Sequence, residues 1–200
     1  KFAILGNHDF DDEKSSKFVE EFLEKAGFVL LKNSSVVKDN LSISGVDDWR
    51  EGRPDFELEP IDATFSLLAL HEPDTILDME TIKEFDLILS GHSHGGQIRI
   101  GNWRLRNKGS SSADAGLYQL NDRTKLYVNR GIGLTFLPIR FGVPPEIVYY
   151  YIYKNLSVIL TDFFIFLFKN LLTALLKILS LHFSCSHDRF ASHIINGSVV

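Results

Sequence analysis

The sequence predicts an α+β fold in which two β-sheets pack face to face and helices flank them. One observation is a set of apolar runs with the length of buried strands; these are Phe2 to Leu5, Phe65 to Leu70 and Asp86 to Ser90. A second is a segment near the start whose apolar residues recur at helical spacing, and a third is a series of brief strand-like segments bounded by turn residues. Strands and helices in this order are typical of a layered sandwich.

The first helix is predicted between Asp12 and Gly27. Its apolar residues lie at helical spacing, and Gly27 is a residue type that commonly ends helices; the apolar set is Phe18, Val19, Phe22, Leu23 and Ala26. Short strands separated by turn formers follow; they are Phe28 to Leu31, Val36 with Val37, and Leu41 to Val46. The polar segment from Asp47 to Pro60 is predicted to be a loop, placed where a lid or one edge of a substrate could lie.

In the second half a short helix is predicted from Thr75 to Glu84, between the strands that begin at Phe65 and Asp86. Further strands are predicted to complete a second sheet; they lie near Gln97 to Ile100, Gly116 to Leu120, Lys125 to Asn129 and Glu146 to Tyr153. No internal repeat is present, so residues 1–153 are predicted to form one domain.

Composition limits the classes of function. The chain has 200 residues, 44% of them hydrophobic, and a formal net charge of −5. A chain of this length buries a substantial core, but it has no basic stripe, so nucleic-acid binding is not favoured. The single cysteine, Cys185, excludes an intramolecular disulfide.

Residues 154–183 are predicted to form a hydrophobic helix, and residues 184–200 a disordered tail. Charged residues interrupt the apolar run, so it falls short of the about 20 residues that a spanning helix needs. Lys169 and Lys177 lie within about 80° of each other on a helix, which predicts peripheral contact of residues 156–183 with an anionic membrane. An extra helix packed on the domain, or sequence without function beyond a damaged reading frame, remain as alternatives.

Four polar islands contain every histidine of the first 150 residues. They are Gly6-Asn7-His8-Asp9, His71-Glu72-Pro73-Asp74, Gly91-His92-Ser93-His94-Gly95-Gly96-Gln97 and Gly131-Ile132-Gly133. The first three each follow a predicted buried strand. Because ligands bind at strand ends in layered α/β sheets, imidazole and amide groups delivered there predict a metal site.

Each island taken alone has a plainer interpretation. Asn7 suits a turn after a strand, and His71 suits a hydrogen-bonded polar residue at a strand end. The pair His92 and His94 fits a turn as well as it fits a metal site. Only the occurrence of all the islands together favours metal binding.

The islands resemble the ordered motifs of the calcineurin-like metallophosphoesterases. That family carries Asp-x-His, Gly-Asp-x-x-Asp, Gly-Asn-His-Asp/Glu, a lone His and Gly-His-x-His in this order, and the last three are present here. Further segments are similar to the branch with bacterial membrane-associated phosphodiesterases and UDP-diacylglucosamine pyrophosphatases; they are Gly45 to Asp48, Ser90 to Gln97, Tyr127 to Gly133 and Pro138 to Ile147. The resemblance covers about residues 1 to 150.

The resemblance implies a four-layer α/β/β/α sandwich around two divalent ions, either Mn, Fe or Zn. By that resemblance Asn7, His71 and His92 hold one ion, and His94 points to the other. His8 would protonate the leaving oxygen or stabilise charge on the phosphate, and Asp9 would orient the His8 ring. A metal-activated water would be the nucleophile. The family also implies a phosphate-ester substrate, lipid-linked in this branch.

The first two family motifs, which supply an Asp, a His and a bridging Asp, do not occur before Gly6. We therefore expect this chain to be the C-terminal part of a longer metallophosphoesterase, located in the bacterial cytoplasm or on a membrane, and to turn over substrate poorly alone. The alternative function is a catalytically inactive fragment or binding remnant of such an enzyme.

Two charged pairs are left outside the predicted site. Asp47 and Asp48 are interpreted as a solvated turn. Arg130 and Arg140 have the fork geometry that suits phosphate, but structural salt bridges are the default interpretation for both.

Overall fold

A six-stranded mixed sheet forms the centre of the chain in the computed structural model, which describes residues 1–10, 13–135 and 138–152. The strands are β1 (Phe2–Ala3), β2 (Val29–Leu30), β3 (Ser34–Lys38), β4 (Leu41–Gly45), β5 (Phe65–Ala69), β6 (Leu87–Ser90), β7 (Arg99–Ile100), β8 (Trp103–Arg104), β9 (Gly116–Gln119) and β10 (Lys125–Val128). The helix α1 is Glu13–Lys25, and 3₁₀ turns occupy Asn7–Phe10, Pro73–Leu77, Glu80–Glu84 and His94–Gly96.

The central sheet has the order β3-β4-β5-β6-β10-β9. Strands β4, β5, β6 and β10 run parallel to one another, whereas β3 and β9 are antiparallel edge strands. Two small sheets accompany it: β1 pairs with β2 in parallel, and β7 pairs with β8 in an antiparallel hairpin. The four parallel strands bring their carboxyl ends to one edge of the sheet.

Apolar residues cover both faces of the central sheet, as expected for parallel strands. Successive residues of β10 alternate between the faces, because side chains of a strand point to opposite sides: Leu126 packs into one core and Tyr127 into the other. The first core also takes Phe85 and Ile76 from the segment after β5. The second takes residues beside β1 and β2 together with Val148, Tyr150 and Ile152.

The prediction of a second sheet from the later strands is wrong in its pairing. Strand β10 joins the central sheet beside β6, with Lys125 opposite Leu87, and β9 pairs with β10. Strand β7 pairs only with β8 among the named strands, and residues 146–150 form no named strand although they pack on the second core. The cause is that β10 has large apolar residues facing both ways, which suits an interior strand.

The predicted helix α1 is confirmed at Glu13–Lys25, and the predicted strands from Phe28 to Val46 appear as β2, β3 and β4. The predicted helix from Thr75 to Glu84 is instead two 3₁₀ turns separated at Asp78 and Met79. The predicted helix of residues 154–183 and the tail of residues 184–200 lie outside the described residues. Within the residues that are described, no helix has the length and apolar character needed to span a membrane.

This topology gathers the predicted site. Strand β5 leads to His71, β6 leads to His92, and the segment after β1 leads to Asn7. Two further parallel strands lead to polar residues in the same way: β4 ends shortly before Asp47, and β10 ends directly before Asn129. The architecture is a mixed α/β fold rich in sheet and compatible with the predicted sandwich.

Candidate metal centre

Three side chains from three separate islands meet at one point. Oδ1 of Asn7 lies 3.0 Å from Nε2 of His71 and 3.2 Å from Nδ1 of His92, and the two ring nitrogens are 3.1 Å apart. Ligand atoms held at about 2.1 Å from an ion and at right angles to each other are separated by about 3.0 Å. The triangle therefore has the dimensions of one face of an octahedral coordination sphere.

The tautomer of His92 is fixed by the backbone. Its Nε2 lies 2.8 Å from the carbonyl oxygen of Lys108, which can only accept, so Nε2 carries the proton and donates it. Nδ1 then presents a lone pair toward Oδ1 of Asn7, which is also an acceptor. Two facing acceptors repel each other unless a cation lies between them, and a carbonyl behind the imidazole is the usual support of a metal-binding histidine. The donor set therefore fits a divalent ion.

The turn that carries His92 and His94 is strained. Both residues have a positive φ, +61° and +50°, which non-glycine residues rarely adopt, whereas Gly95 next to them takes +62° without steric cost. Ser93 stabilises the turn, since its hydroxyl accepts from the Gly95 amide and donates to the carbonyl of Asp114. Such strain is concentrated at functional sites, and here both histidines of the turn line one cavity.

A close approach also determines the identity of Gly6. A Cβ atom at this position would lie 2.6 Å from Cε1 of His71, so the residue before Asn7 must lack a side chain. The amide of Gly6 donates to Oδ2 of Asp9 at 2.8 Å, which closes the turn around Asn7 and His8. The first island is thus a compact loop fitted against the second.

The pKa values of the His71, His92 and His94 imidazoles are lowered, which favours their neutral forms. Burial, and next the neighbouring His92 ring, lower the pKa of His71 to about 3. Burial, and next the Arg140 cation, lower the pKa of His94 to about 4, and burial also lowers the pKa of His92. Neutral imidazole is the form that binds metal, so the site keeps its ligands available well below neutral pH.

His94 and His8 lie beside the triangle. They line the same cavity, of about 600 Å³, as the three ligands. The full lining is Gly6, Asn7, His8, Asp9, Arg50, His71, His92, His94, Arg106, Asn107, Lys108, Leu134 and Thr135. The His94 ring is held by a hydrogen bond with the backbone of Gly133 and by the Arg140 guanidinium, whose NH2 is 3.5 Å from Nδ1. All six predicted site residues therefore border one cavity.

Several curated proteins with similar sequences are named metallophosphoesterases. The metallophosphoesterase YkuE of Bacillus subtilis is 36% identical over 157 residues, which are 74% of this chain and 54% of that protein. A metallophosphoesterase of Aquifex aeolicus is 33% identical over 158 residues, 74% of this chain and 59% of that protein. The chain belongs to the calcineurin-like metallophosphoesterase family. It spans about half the length of these relatives.

Another relative of this metallophosphoesterase chain has a named substrate. The UDP-2,3-diacylglucosamine pyrophosphatase LpxG of Chlamydia trachomatis is 33% identical over 139 residues, which are 62% of this chain and 41% of that protein. No family model matches the sequence. No solved structure matches it either.

The interpretation of Asp47 and Asp48 as a solvated turn is wrong for this metallophosphoesterase. Asp48 is fully buried and Asp47 is 5% exposed, because they cap the backbone of the following turn. Oδ1 of Asp48 accepts the amides of Arg50 and Glu51, and Oδ2 of Asp47 accepts the amide of Arg53. The two carboxylates build the start of the predicted loop.

The structure adds Glu72, which follows a predicted ligand directly but was not predicted to have a role. It is fully buried, and one of its carboxylate oxygens lies within 4.8 Å of ligand nitrogens of His71 and His92. Its Oε2 accepts the Trp49 amide, while burial, and next the charge of Asp48, raise its pKa to about 8. Because it does not border the cavity, Glu72 supports the metallophosphoesterase site from behind.

The arginines after β10 have structural roles. Arg130 and Glu146 form the predicted salt bridge, in which the guanidinium donates to Oε2 and the Arg130 amide donates to Oε1. Arg140 instead donates to the carbonyls of Gly133 and Arg130 and contacts His94, so the salt bridge predicted for it is not its main interaction. Backbone carbonyls exposed by the turn after β10 outcompete a carboxylate for this guanidinium.

Proposed function

We propose that this chain is the part of a dinuclear metal-dependent phosphoesterase that hydrolyses a phosphodiester or pyrophosphate bond. The observation that carries the proposal is the triangle of Asn7, His71 and His92, with the tautomer of His92 set by the Lys108 carbonyl. Family membership supports hydrolysis of a phosphate ester as the reaction class.

The site residues are proposed to have three roles: binding one ion, binding a second ion, and donating a proton. Asn7, His71 and His92 would hold one divalent ion, and His94 would contribute to a second. When bound, such ions activate water and balance the charge that develops on a phosphoryl group. The described residues include one cluster of three or more metal-binding His, Cys, Asp or Glu side chains, so the further ligands of a second ion are proposed to come from the part of the relatives that this chain does not span.

His8 is proposed to deliver a proton to the leaving oxygen. It lines the cavity beside the triangle and is not one of the triangle's three residues, which supports a role toward the substrate. Asp9 holds the turn that presents His8, because its Oδ2 accepts the Gly6 amide. Orientation of the His8 ring by Asp9 stays a prediction.

The proposed substrate is a lipid-linked compound such as UDP-diacylglucosamine. Its support is the name of the Chlamydia relative, together with the apolar sequence of residues 156–183, proposed to contact a membrane surface. The metal is proposed to be Mn, Fe or Zn, since imidazole with amide oxygen suits each of them.

The first experiment is elemental analysis of the 200-residue chain purified in Mn²⁺, beside His92→Ala and His8→Ala. We expect His92→Ala to lose bound metal, because Nδ1 is one corner of the triangle, and His8→Ala to retain it. Equal metal content in all three proteins would refute the ligand assignment.

Activity is measured next, on bis-p-nitrophenyl phosphate and on UDP-2,3-diacylglucosamine. Turnover of the second compound alone selects the pyrophosphatase, and turnover of the first alone excludes it. Metal binding without hydrolysis of either compound, in this chain and in a chain of the relatives' full length, would identify the non-catalytic alternative.

A further inference from the structure

We infer that Arg50, Arg106 and Lys108 form an anion-binding subsite beside the metal centre, and that this subsite takes a second phosphate group of the substrate. The substrate class is then a diphosphate ester and not a simple phosphodiester. The inference rests on the proposed function, whose site it extends.

The cavity is cationic although the chain is acidic. Three positively charged residues, Arg50, Arg106 and Lys108, are among its lining residues, together with one acidic residue, Asp9, whereas the whole chain carries a net charge of −5. The Asp9 carboxylate is already engaged by the Gly6 amide. Low-dielectric walls concentrate the field of charges in a cleft, so this cavity attracts anions even before a metal ion is bound.

Arg50 is held in place by buried groups. Its amide donates to Oδ1 of Asp48 at 3.0 Å, and the preceding amide, that of Trp49, donates to Oε2 of Glu72 at 3.2 Å. Both carboxylates are fully buried. The backbone of Arg50 is therefore fixed to the residue that follows His71, and Arg50 lines the same cavity as His71 and His92. An anion bound by Arg50 lies next to the metal ligands.

Arg106 and Lys108 are tied to His92 by a different segment. The Lys108 carbonyl accepts from Nε2 of His92, and Nδ2 of Asn107 donates to the His92 carbonyl at 3.2 Å. Gly109 follows with a φ of +96°. It lies so close to the Glu72 side chain that a Cβ atom at this position would be 2.8 Å from Cγ of Glu72. The segment that carries Arg106 and Lys108 therefore lies against His92, and both residues line the cavity.

These three cations are available to a ligand. The Arg50 guanidinium is 3.9 Å from the Glu51 carboxylate, and the two side chains are 30% and 50% exposed. An exposed ion pair at this distance contributes little to stability. No ion pair to Arg106 or Lys108 is found within the described part of the chain. In contrast Arg130, Arg123 and Arg99 are each paired with a carboxylate.

The number of charges argues for a second phosphate. Metal ions and His8 suffice for the single negative charge of a phosphodiester. A diphosphate ester carries one more negative charge next to the cleaved bond, and arginine forks match phosphate oxygens in geometry as well as in charge. The three cationic residues of the cavity provide more positive charge than a single phosphodiester needs, and this excess favours a second phosphate group.

The binding test uses the chain freed of metal with EDTA and titrated calorimetrically with inorganic pyrophosphate or inorganic phosphate. We expect pyrophosphate to bind about tenfold more tightly than phosphate, and Arg50→Ala or Arg106→Ala to weaken pyrophosphate binding about tenfold each. Lys83→Ala is the matched control, because Lys83 is exposed and does not border the cavity. Equal binding by Arg50→Ala, Arg106→Ala and Lys83→Ala would overturn the subsite.

A conservative variant and a kinetic ratio control for misfolding, and they distinguish failure of the anion subsite from failure of the proposed function. Arg50→Lys keeps the charge and should recover part of the pyrophosphate affinity lost in Arg50→Ala. In Mn²⁺, Arg50→Ala should lower the ratio of kcat/KM for UDP-glucose to kcat/KM for bis-p-nitrophenyl phosphate about tenfold. An unchanged ratio would overturn the inference. If neither compound is hydrolysed by this chain or by a chain of the relatives' full length, while pyrophosphate binding still depends on Arg50, the proposed function fails and the subsite stands.

Discussion

Nε2 of His92 donates to the backbone carbonyl of Lys108 at 2.8 Å, and this bond links the metal centre to the loop that carries two of the cavity cations, Arg106 and Lys108. It sets the tautomer of His92, so that Nδ1 faces Asn7 and His71. It also fixes the position of Lys108 relative to the metal ligands. The peptide between Lys108 and Gly109 is therefore a shared structural element of both subsites.

Gly109→Ala should weaken metal binding without removing a ligand. The added Cβ would lie 2.8 Å from Cγ of Glu72 and 3.5 Å from Nε2 of His92, at a residue whose φ is +96°. We expect a loss of about 1–3 kcal/mol in the free energy of unfolding, measured by urea denaturation, and a lower Mn²⁺ affinity. Gly101→Ala is the control, because Gly101 also has a positive φ of +59° but no atom within 4 Å of its Cβ position. Identical metal affinities in the two variants would contradict this role of the Lys108 peptide.

Glu72→Gln should make the metal-free protein more stable at alkaline pH. Burial, and next the charge of Asp48, raise the pKa of Glu72 from 4.5 to about 8. A raised pKa in the folded state contributes stability below pH 4.5 that is lost as the pH rises through 8. Gln has no proton to lose and can still accept from the Trp49 amide, so the variant should gain on the order of 1–2 kcal/mol at pH 8 relative to pH 5. Denaturation in EDTA at both values measures this gain.

The exposed residue Glu80 provides the comparison for Glu72. Glu80→Gln changes the same functional group on the surface, and it should leave the pH dependence of unfolding as in the unaltered chain. A parallel response of the two variants would show that the Glu72 carboxyl is ionised in the folded protein, contrary to its raised pKa.

The sequence predicted the position of the candidate site more completely than the pairing of the sheet. Motifs at strand ends place Asn7, His71, His92 and His94 together, and the structure brings all four to one cavity. Their metal-binding roles, which the family resemblance implies, stay a prediction. The pairing of β10 with β6 depends on which strands are buried on both faces of the sheet, and this is decided only when the two hydrophobic cores have assembled. Burial of Asp48 and the support from Lys108 arise from long-range contacts that no local pattern records.

Glu146→Ala should destabilise the chain strongly. The Glu146 side chain is 3% exposed and accepts from the Arg130 guanidinium, the Arg130 amide and the Tyr127 hydroxyl. Its removal leaves the Arg130 charge largely buried without a partner, which costs about 3–5 kcal/mol. Glu21→Ala, which removes an exposed partner of Lys25 on α1, should cost less than about 0.5 kcal/mol. Urea denaturation of both variants compares the two losses, and similar values would mean that the Arg130 pair is not buried in solution.

Metal binding should persist to acidic pH. An ordinary imidazole with a pKa of 6.5 is about 97% protonated at pH 5, which lowers the affinity of each such ligand about thirtyfold. Burial, and next the neighbouring cationic forms, lower the pKa of His71 to about 3, so His71 stays neutral at pH 5 and no proton competes with the ion there. We expect the Mn²⁺ affinity of this chain to fall much less between pH 7 and pH 5 than that of a short peptide of exposed histidines, which should lose at least about thirtyfold. In the metal-free chain the same lowered pKa removes stability as the pH falls from 6.5 toward 3, because the unfolded chain then binds the proton more readily. Metal affinity that declines with a midpoint near pH 6.5 would therefore place His71 in water and refute the buried triangle as the binding site.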